Sequence, residues 1–243
     1  ETVWLFGLHA VRDALLNPNR TRLRLVLTRN AAGRLEDALA ASDMTPEIVD
    51  ARVFDREVPL DPGSVHQGAA VEVKPLGWGA LDTVAAEGGG AGRALVVALD
   101  RVTDPHNVGA ILRSAEVFGA RAVIAPSRHA APETGALAKT ASGALERQPY
   151  LRVGNLADTL IELRDMGYVI LGLDGTGTET LPEALDALPG RALCLVLGAE
   201  GPGLRERTRE TCDRIVRIPF AAEFGSLNVS NAAAVALYAA ATG

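Results

Sequence analysis

The sequence predicts an α/β protein in which a small mixed domain precedes a larger, mostly parallel sheet covered by helices. Three observations predict it. Over residues 94–243, strand-like apolar runs alternate with helical patterns, the rhythm of βαβ units. Over residues 1–76, shorter strands and helices are mixed. Between the two lies a stretch of small residues, 77–93, which contains Gly88-Gly89-Gly90-Ala91-Gly92 and reads as a flexible connector. The chain has 243 residues, 48% hydrophobic and 22% charged. That is too apolar for disorder and long enough for a proper core.

Each element has its own signal. Leu8–Leu16 has helical spacing and stops at Asn17-Pro18-Asn19. Leu23–Thr28 alternates as a strand does, Gly33–Ala41 reads as a helix, and Glu47–Asp50 and Ala69–Lys74 read as strands. In the larger block, strands are expected at Ala94–Leu99, Ala122–Ala125, Val169–Leu173, Leu193–Leu197 and Ile215–Ile218. Their apolar runs suit a sheet buried on both faces. Helices are expected near Val108–Phe118, Gly135–Glu146, Leu156–Met166, Leu204–Thr211 and Leu227–Ala240. Ligands of such sheets bind at the carboxyl ends of strands. The chemistry is therefore expected in the loops after Leu99, Leu173, Leu197 and Ile218.

Charge and cysteine exclude several classes. No apolar run is long enough for a transmembrane helix, and the first residues lack the basic start and apolar stretch of a signal peptide. A cytoplasmic protein is expected. Cys194 and Cys212 form no C-x-x-C, and Cys194 sits inside an apolar run, as a structural thiol would in a reducing compartment. The four histidines, His9, His66, His106 and His129, have no metal-ligand spacing, so no metal is expected. Net charge is −6, which argues against loose binding to nucleic acid. Residues 93–152 are the exception at a net +3. Of the 24 basic residues all but Lys74 and Lys139 are Arg. Arg forks phosphate well, although a genome preferring Arg codons gives the same bias. Arg20, Arg22 and Arg24 belong to a stretch, 17–29, that has no acid. It reads either as a phosphate-contacting row or as a solvated loop.

Three strand ends carry unusual clusters. The first is Asp100-Arg101-Val102-Thr103-Asp104-Pro105-His106-Asn107-Val108-Gly109, leading to Arg113. Asn107 is a candidate helix cap, and a helix start beside an Arg suits a phosphate; a capped helix with a surface Arg is the plainer alternative. The second is Leu197-Gly198-Ala199-Glu200-Gly201-Pro202-Gly203, where three glycines let a ligand approach the backbone. It is not a dinucleotide fingerprint, and Glu200 could equally cap a helix. The third is Ile218-Pro219-Phe220 followed by Gly225-Ser226-Leu227-Asn228-Val229-Ser230-Asn231. Capping by Ser226 would explain one of its polar residues but not Asn228 and Asn231 as well. There is no P-loop and no G-x-S-x-G elbow.

In this order the three clusters resemble the three motifs of the SpoU family of RNA 2′-O-methyltransferases, in the SPOUT superfamily. Lys139–Glu146 resembles a family segment between the first two motifs. Phe6-Gly7-Leu8-His9-Ala10-Val11 and Val65-His66-Gln67-Gly68 resemble the family's amino-terminal substrate-binding domain. The resemblance implies a carboxy-terminal α/β-knot, trefoil-knotted and mostly parallel, behind a small RNA-binding domain. The implied boundaries are 1–76, a linker at 77–93, and 94–243. The resemblance also implies a homodimer that uses S-adenosylmethionine to methylate a ribose in RNA, in the branch acting on a guanosine of 23S ribosomal RNA.

By the same resemblance, Asn107, Arg113, Glu200, Ser226 and Asn228 match the catalytic set. Thr176, Gly177, Leu197, Gly198, Gly203, Ile218 and Leu227 would surround the cofactor. Arg20, Arg22, Arg24 and Arg113 would meet RNA. Arg113 would bind the phosphate beside the target ribose, since a guanidinium keeps its protons and is a poor base. A tRNA ribose methyltransferase, or a non-catalytic RNA binder on the same fold, are the competing readings.

Overall fold

The computed structural model describes residues 2–86, 92–131, 133–221 and 226–243. The expected connector Gly88–Gly92 lies mostly outside them, as does Gly225. The chain divides into two compact units, Glu1–Gly77 with Ala131–Arg147, and Trp78–Ala130 with Gln148–Gly243.

The first unit contains β1 (Val3–Phe6), α1 (Leu8–Leu16), β2 (Arg22–Thr28), α2 (Arg29–Arg34), α3 (Glu36–Ala40), β3 (Glu47–Val49), α4 (Ala51–Glu57) and β4 (Ala69–Val73). Its sheet has the order β1-β4-β2-β3. β4 runs antiparallel to both β1 and β2, whereas β2 and β3 are parallel. The single helix expected over Gly33–Ala41 is two short ones, α2 and α3, broken at Leu35. α4 has one fully buried side chain, Phe54. That is too little periodicity to see in sequence, and Phe54 is anchored by stacking on His66 with ring centroids 4.4 Å apart.

The first unit also takes in α7 (Gly135–Ala141) and a short 3-10 turn, Ala144–Glu146. The sequence pattern predicts one helix here. Ser142, in a left-handed conformation with φ 51°, ends it early. α7 packs on β1 and α1. Behind it lies a buried charge cluster. The Nε of Arg20 donates to both Glu146 carboxylate oxygens at 3.1 and 3.0 Å, and its Nη2 donates to Oε1 at 2.6 Å. Asn17 Nδ2 adds a bond to Glu146 Oε2 at 2.8 Å. Glu133 stands 3.7 Å from the same guanidinium.

This corrects the reading of the Arg row. Arg20 is 2% exposed and committed to carboxylates, so it is no RNA contact. Arg22 spends its Nη1 on three carbonyls at the end of α1, Ala14, Leu15 and Asn17, and its Nη2 on Asp43. Arg24 forks onto Glu47 at 2.9 and 2.8 Å. Acids distant in sequence neutralise the row in space.

The second unit begins with α5 (Leu81–Ala86), which corrects the connector. Val84 and Ala85 are buried in the core, and the Ala85 carbonyl accepts from Arg121 at 2.7 Å and from Tyr168 at 2.8 Å. The unit then runs through β5 (Leu95–Asp100), α6 (Pro105–Val117), β6 (Ala122–Pro126), β7 (Tyr150–Val153), α8 (Leu156–Asp165), β8 (Val169–Leu173), β9 (Glu179–Thr180), α9 (Leu181–Asp186), β10 (Leu193–Gly198), α10 (Glu206–Thr211), β11 (Arg214–Arg217) and α11 (Val229–Thr242). Among the described residues seven strands form one sheet in the order β7-β6-β5-β10-β8-β11-β9, with every pairing parallel. β5 and β10 sit near the middle and are buried throughout, save the last residue of β10.

Caps fix the helices at the motif ends. α6 starts with Asp104, whose side chain accepts from His106 N, and with Pro105 in the first turn. Asn107 is therefore not the cap. α11 starts with Asn228, which accepts from Ser230 N, so the cap is not Ser226. Among the described residues no helix is long and apolar enough to cross a membrane. No group of His, Cys, Asp or Glu among them could hold a metal.

Removing one partner of a buried ion pair strands the other charge, at about 3–5 kcal/mol. Glu146→Ala should therefore lower stability by about that much, measured by urea denaturation. An unchanged midpoint would contradict the assignment of Arg20 to the core.

Candidate active site

The loops that follow β8, β10 and β11 enclose one cavity of about 630 Å³. Its walls are Leu173–Thr176, Leu197–Gly203, Ile218 and Phe220, and Ser226–Val229 at the start of α11. These are three of the four strand ends where the sequence places the chemistry. They converge because β8, β10 and β11 run parallel and lie next to or one strand from one another.

The second cluster forms a tight turn. A Cβ on Gly198 would collide with the Gly203 backbone, and Gly203 N donates to Ala199 O at 2.9 Å. Gly198 is thus required by the turn itself. The turn presents Glu200 to the third cluster. Glu200 Oε1 accepts from Asn228 Nδ2 at 2.6 Å and from Val229 N at 3.3 Å. The other end of the Asn228 amide accepts from Ser230 N at 2.9 Å and Ser230 Oγ at 2.6 Å. Both ends of this amide are therefore fixed. Both of its partners are residues of the sequence motifs: Ser230 is a near neighbour, and Glu200 is brought in from 28 positions away in the chain.

The family model described as SpoU rRNA Methylase family matches residues 94–238. The chain belongs to the SpoU rRNA methylase family. A relative in Vibrio vulnificus, a 23S rRNA (guanosine-2′-O-)-methyltransferase named RlmB, is 40% identical over 98% of this chain and 95% of its own. Among solved structures, a putative RNA methyltransferase of the TrmH family from Porphyromonas gingivalis is 27% identical with a TM-score of 0.73, covering 98% of this chain and 88% of that one. The SpoU methyltransferase AviRb from Streptomyces viridochromogenes, in complex with AdoMet, has the same fold, with a TM-score of 0.79 at 24% identity over 99% of this chain and 89% of that one.

The family's expected cofactor residues fall unevenly on the cavity. Thr176, Leu197, Gly198, Gly203, Ile218 and Leu227 line it. Gly177 does not. Its missing side chain lets the loop run against the Ile215 carbonyl of β11. Of the expected catalytic residues, Glu200, Ser226 and Asn228 line the cavity, whereas Asn107 and Arg113 stand on α6 outside its walls. Arg113 is exposed, and its side chain has no hydrogen bond or ion pair among the described residues.

Two carboxylates outside the expected catalytic set support the site: Asp100, which opens the first cluster, and Asp174, which belongs to none. Asp100, fully buried at the end of β5, accepts from Arg205 N at 2.8 Å and Arg205 Nε at 2.7 Å. Asp174, in the cavity wall, accepts from Thr176 N and Oγ1 and from Arg209 Nη1, all within 2.8 Å. Arg209 Nη2 also reaches Thr176 Oγ1 at 3.1 Å. A carboxylate directly after an apolar strand was the available clue for both. Burial pushes the Asp174 carboxyl up, but the bonds from Thr176 and the Arg209 charge overcome this and hold it below its ordinary value. The thiols lie outside this chemistry. Burial raises Cys194, and raises Cys212 to about 12, so both stay protonated at neutral pH.

A carboxyl whose native value is lowered stabilises the fold above its unfolded value of about 3.9, and that contribution is lost as pH falls through the native value. Arg209→Ala removes part of it. The stability gap between wild type and this variant should be widest at neutral pH and should narrow below about pH 4. Urea titrations at pH 7 and pH 3 measure it; a gap that widens in acid would contradict the assignment.

Proposed function

We propose that this SpoU family member transfers a methyl group from S-adenosylmethionine to the ribose 2′-hydroxyl of a guanosine in 23S ribosomal RNA. The observation that carries this is the Glu200–Asn228 pair, locked at the mouth of a cavity that joins the second and third motifs. The relative from Vibrio vulnificus named for this reaction is similar along 98% of the chain, the first unit included. That favours the ribosomal substrate over tRNA. The retained, unpaired Arg113 favours an enzyme over an RNA binder.

The cavity fits the cofactor by its chemistry. Leu197, Ile218, Phe220 and Leu227 give it an apolar wall for a flat base, and Phe220 and Leu227 are exposed large hydrophobic side chains. Asp174 and Glu200 supply negative charge to a cationic ligand. Bound there, S-adenosylmethionine would supply a methyl group on a positively charged sulfur. What remains for the chain is alignment and care of the hydroxyl proton. Glu200 Oε2 takes no hydrogen bond among the described residues, so it is available to the hydroxyl. Asn228 holds Glu200 in place, and Ser226 faces the same space. Arg113 binds the phosphate next to the ribose and polarises the hydroxyl. Asn107, six residues before Arg113 on α6, contacts the RNA backbone. The first unit binds RNA elsewhere along the substrate, through surfaces other than Arg20.

A homodimer completes the site in this proposal. Val117 on α6, and Val235 and Tyr238 on α11, are 70%, 42% and 59% exposed. The two helices pack together, with Phe118 against the Tyr238 ring. A second copy would cover this apolar face, and Arg113, one turn before Val117, would then meet the neighbouring cavity. A trefoil knot is also part of the proposal. β8 and β9 follow each other in the chain, yet β11 lies between them. The connection 174–178 thus spans a strand formed later, which supports a threaded tail. A soluble, cytoplasmic place beside the ribosome accords with this reading.

The test uses labelled S-adenosylmethionine and a 23S rRNA fragment. Arg113→Ala and Glu200→Gln should each lower turnover by about 100-fold or more while cofactor binding by calorimetry persists. Mixed dimers of the two variants should recover activity in part. Full activity of Arg113→Ala would sink the assignment.

A further inference from the structure

A second, smaller cavity of about 200 Å³ adjoins the first in the second unit. The two share Ala199, Pro202 and Gly203 as a common wall. The rest of the small cavity is Arg101 and Thr103 after β5, His129 after β6, and Leu204 and Arg205. Two of these side chains are guanidinium groups, one is an imidazole, and none is a carboxylate.

The backbone here is unusual. Four non-glycine residues have positive φ among the described residues, and the two in the second unit are Arg101 at 63° and His129 at 64°. Both line this cavity. A side chain in the left-handed region is disfavoured by clash with its own backbone, and such residues gather where a structure must aim a group. Neither side chain has a hydrogen bond or ion pair among the described residues to account for the conformation.

Arg205 is aimed differently. The buried Asp100 carboxylate takes its Nε at 2.7 Å and its backbone N at 2.8 Å. Held at that edge, the guanidinium keeps its two terminal nitrogens for something else, and its side chain is 44% exposed. A fork of donors held from behind by a carboxylate matches the planar, bidentate recognition of phosphate oxygens.

We propose that this cavity is a subsite for one phosphodiester of the RNA strand, next to the nucleotide whose ribose is methylated. Arg101 and Arg205 supply charge, and Thr103 and His129 supply hydrogen bonds. The inference rests on the methyltransferase reading above and adds a contact that positions RNA without touching the cofactor. A phosphate contact sets register and affinity rather than sequence preference.

The strain supplies a clean test. Arg101→Gly removes the guanidinium and relieves the positive φ, so a structural role and a binding role predict opposite signs. Steady-state methylation of a 23S rRNA fragment by the full chain gives KM for RNA and for S-adenosylmethionine, and a salt series gives the slope of log affinity against log salt. The expected result is an RNA KM raised about tenfold and a salt slope smaller by about one. KM for S-adenosylmethionine should be unchanged, and the melting temperature equal or higher. Arg101→Asn, which also tolerates the left-handed region, should behave in the same way and covers the case in which the glycine variant fails to fold. Wild-type methylation, with RNA KM and salt slope unchanged in these variants, would overturn the subsite alone. A wild-type chain that leaves the RNA unmethylated would overturn the functional reading and the subsite with it.

Discussion

The position of β11 between β8 and β9 is the constraint on which the site depends. Two strands that follow each other in the chain are kept apart by one formed some 35 residues later. This brings the carboxyl ends of β8, β10 and β11 to one side of the sheet, and their loops close on each other. Asp174 N donates to Val216 O at 2.9 Å, and Gly177 runs against the Ile215 carbonyl. Without that insertion Thr176, Gly198 and Leu227 would not share a cavity, and Glu200 would not meet Asn228.

Electrostatics then hold the loops in place. Three strand ends around the site are each tied by a carboxylate that takes a donor from another element. Asp100 takes Arg205, Asp174 takes Arg209 and Thr176, and Glu200 takes Asn228 and Val229. Arg205 and Arg209 both belong to the segment after the glycine turn, so one stretch of chain braces the ends of β5 and β8. Charge-assisted bonds of this kind are stronger and more directional than neutral ones. They fix where the reacting groups stand, and alignment is most of what the proposed methyl transfer asks of the protein.

Much of this was legible in sequence because its causes are local. Apolar runs flanked by Gly, Asp and Pro gave the main strands of the second unit, and their ends marked the chemistry. Glu200, Ser226 and Asn228 stood out as polar residues where a strand or an apolar helix begins or ends. What depends on distant contact was hidden. Arg20 looked like part of an exposed basic row because Glu146, its partner, is 126 positions away. The connector looked unstructured because small residues at Val84 and Ala85 find their core only through Tyr168 and Arg121. The segment 131–147 looked like a piece of the larger domain, although its apolar residues pack on β1 and α1. The strain at Arg101 and His129 has no sequence signature.

The proposed ribose methyltransferase for large-subunit ribosomal RNA has a defined product, one 2′-O-methylated guanosine. Mapping 2′-O-methylation across 23S rRNA from cells with and without this protein tests it most directly. One guanosine should be methylated in the first and unmethylated in the second, and restored by the wild-type chain but not by Arg113→Ala. An identical methylation map in both cells would contradict it.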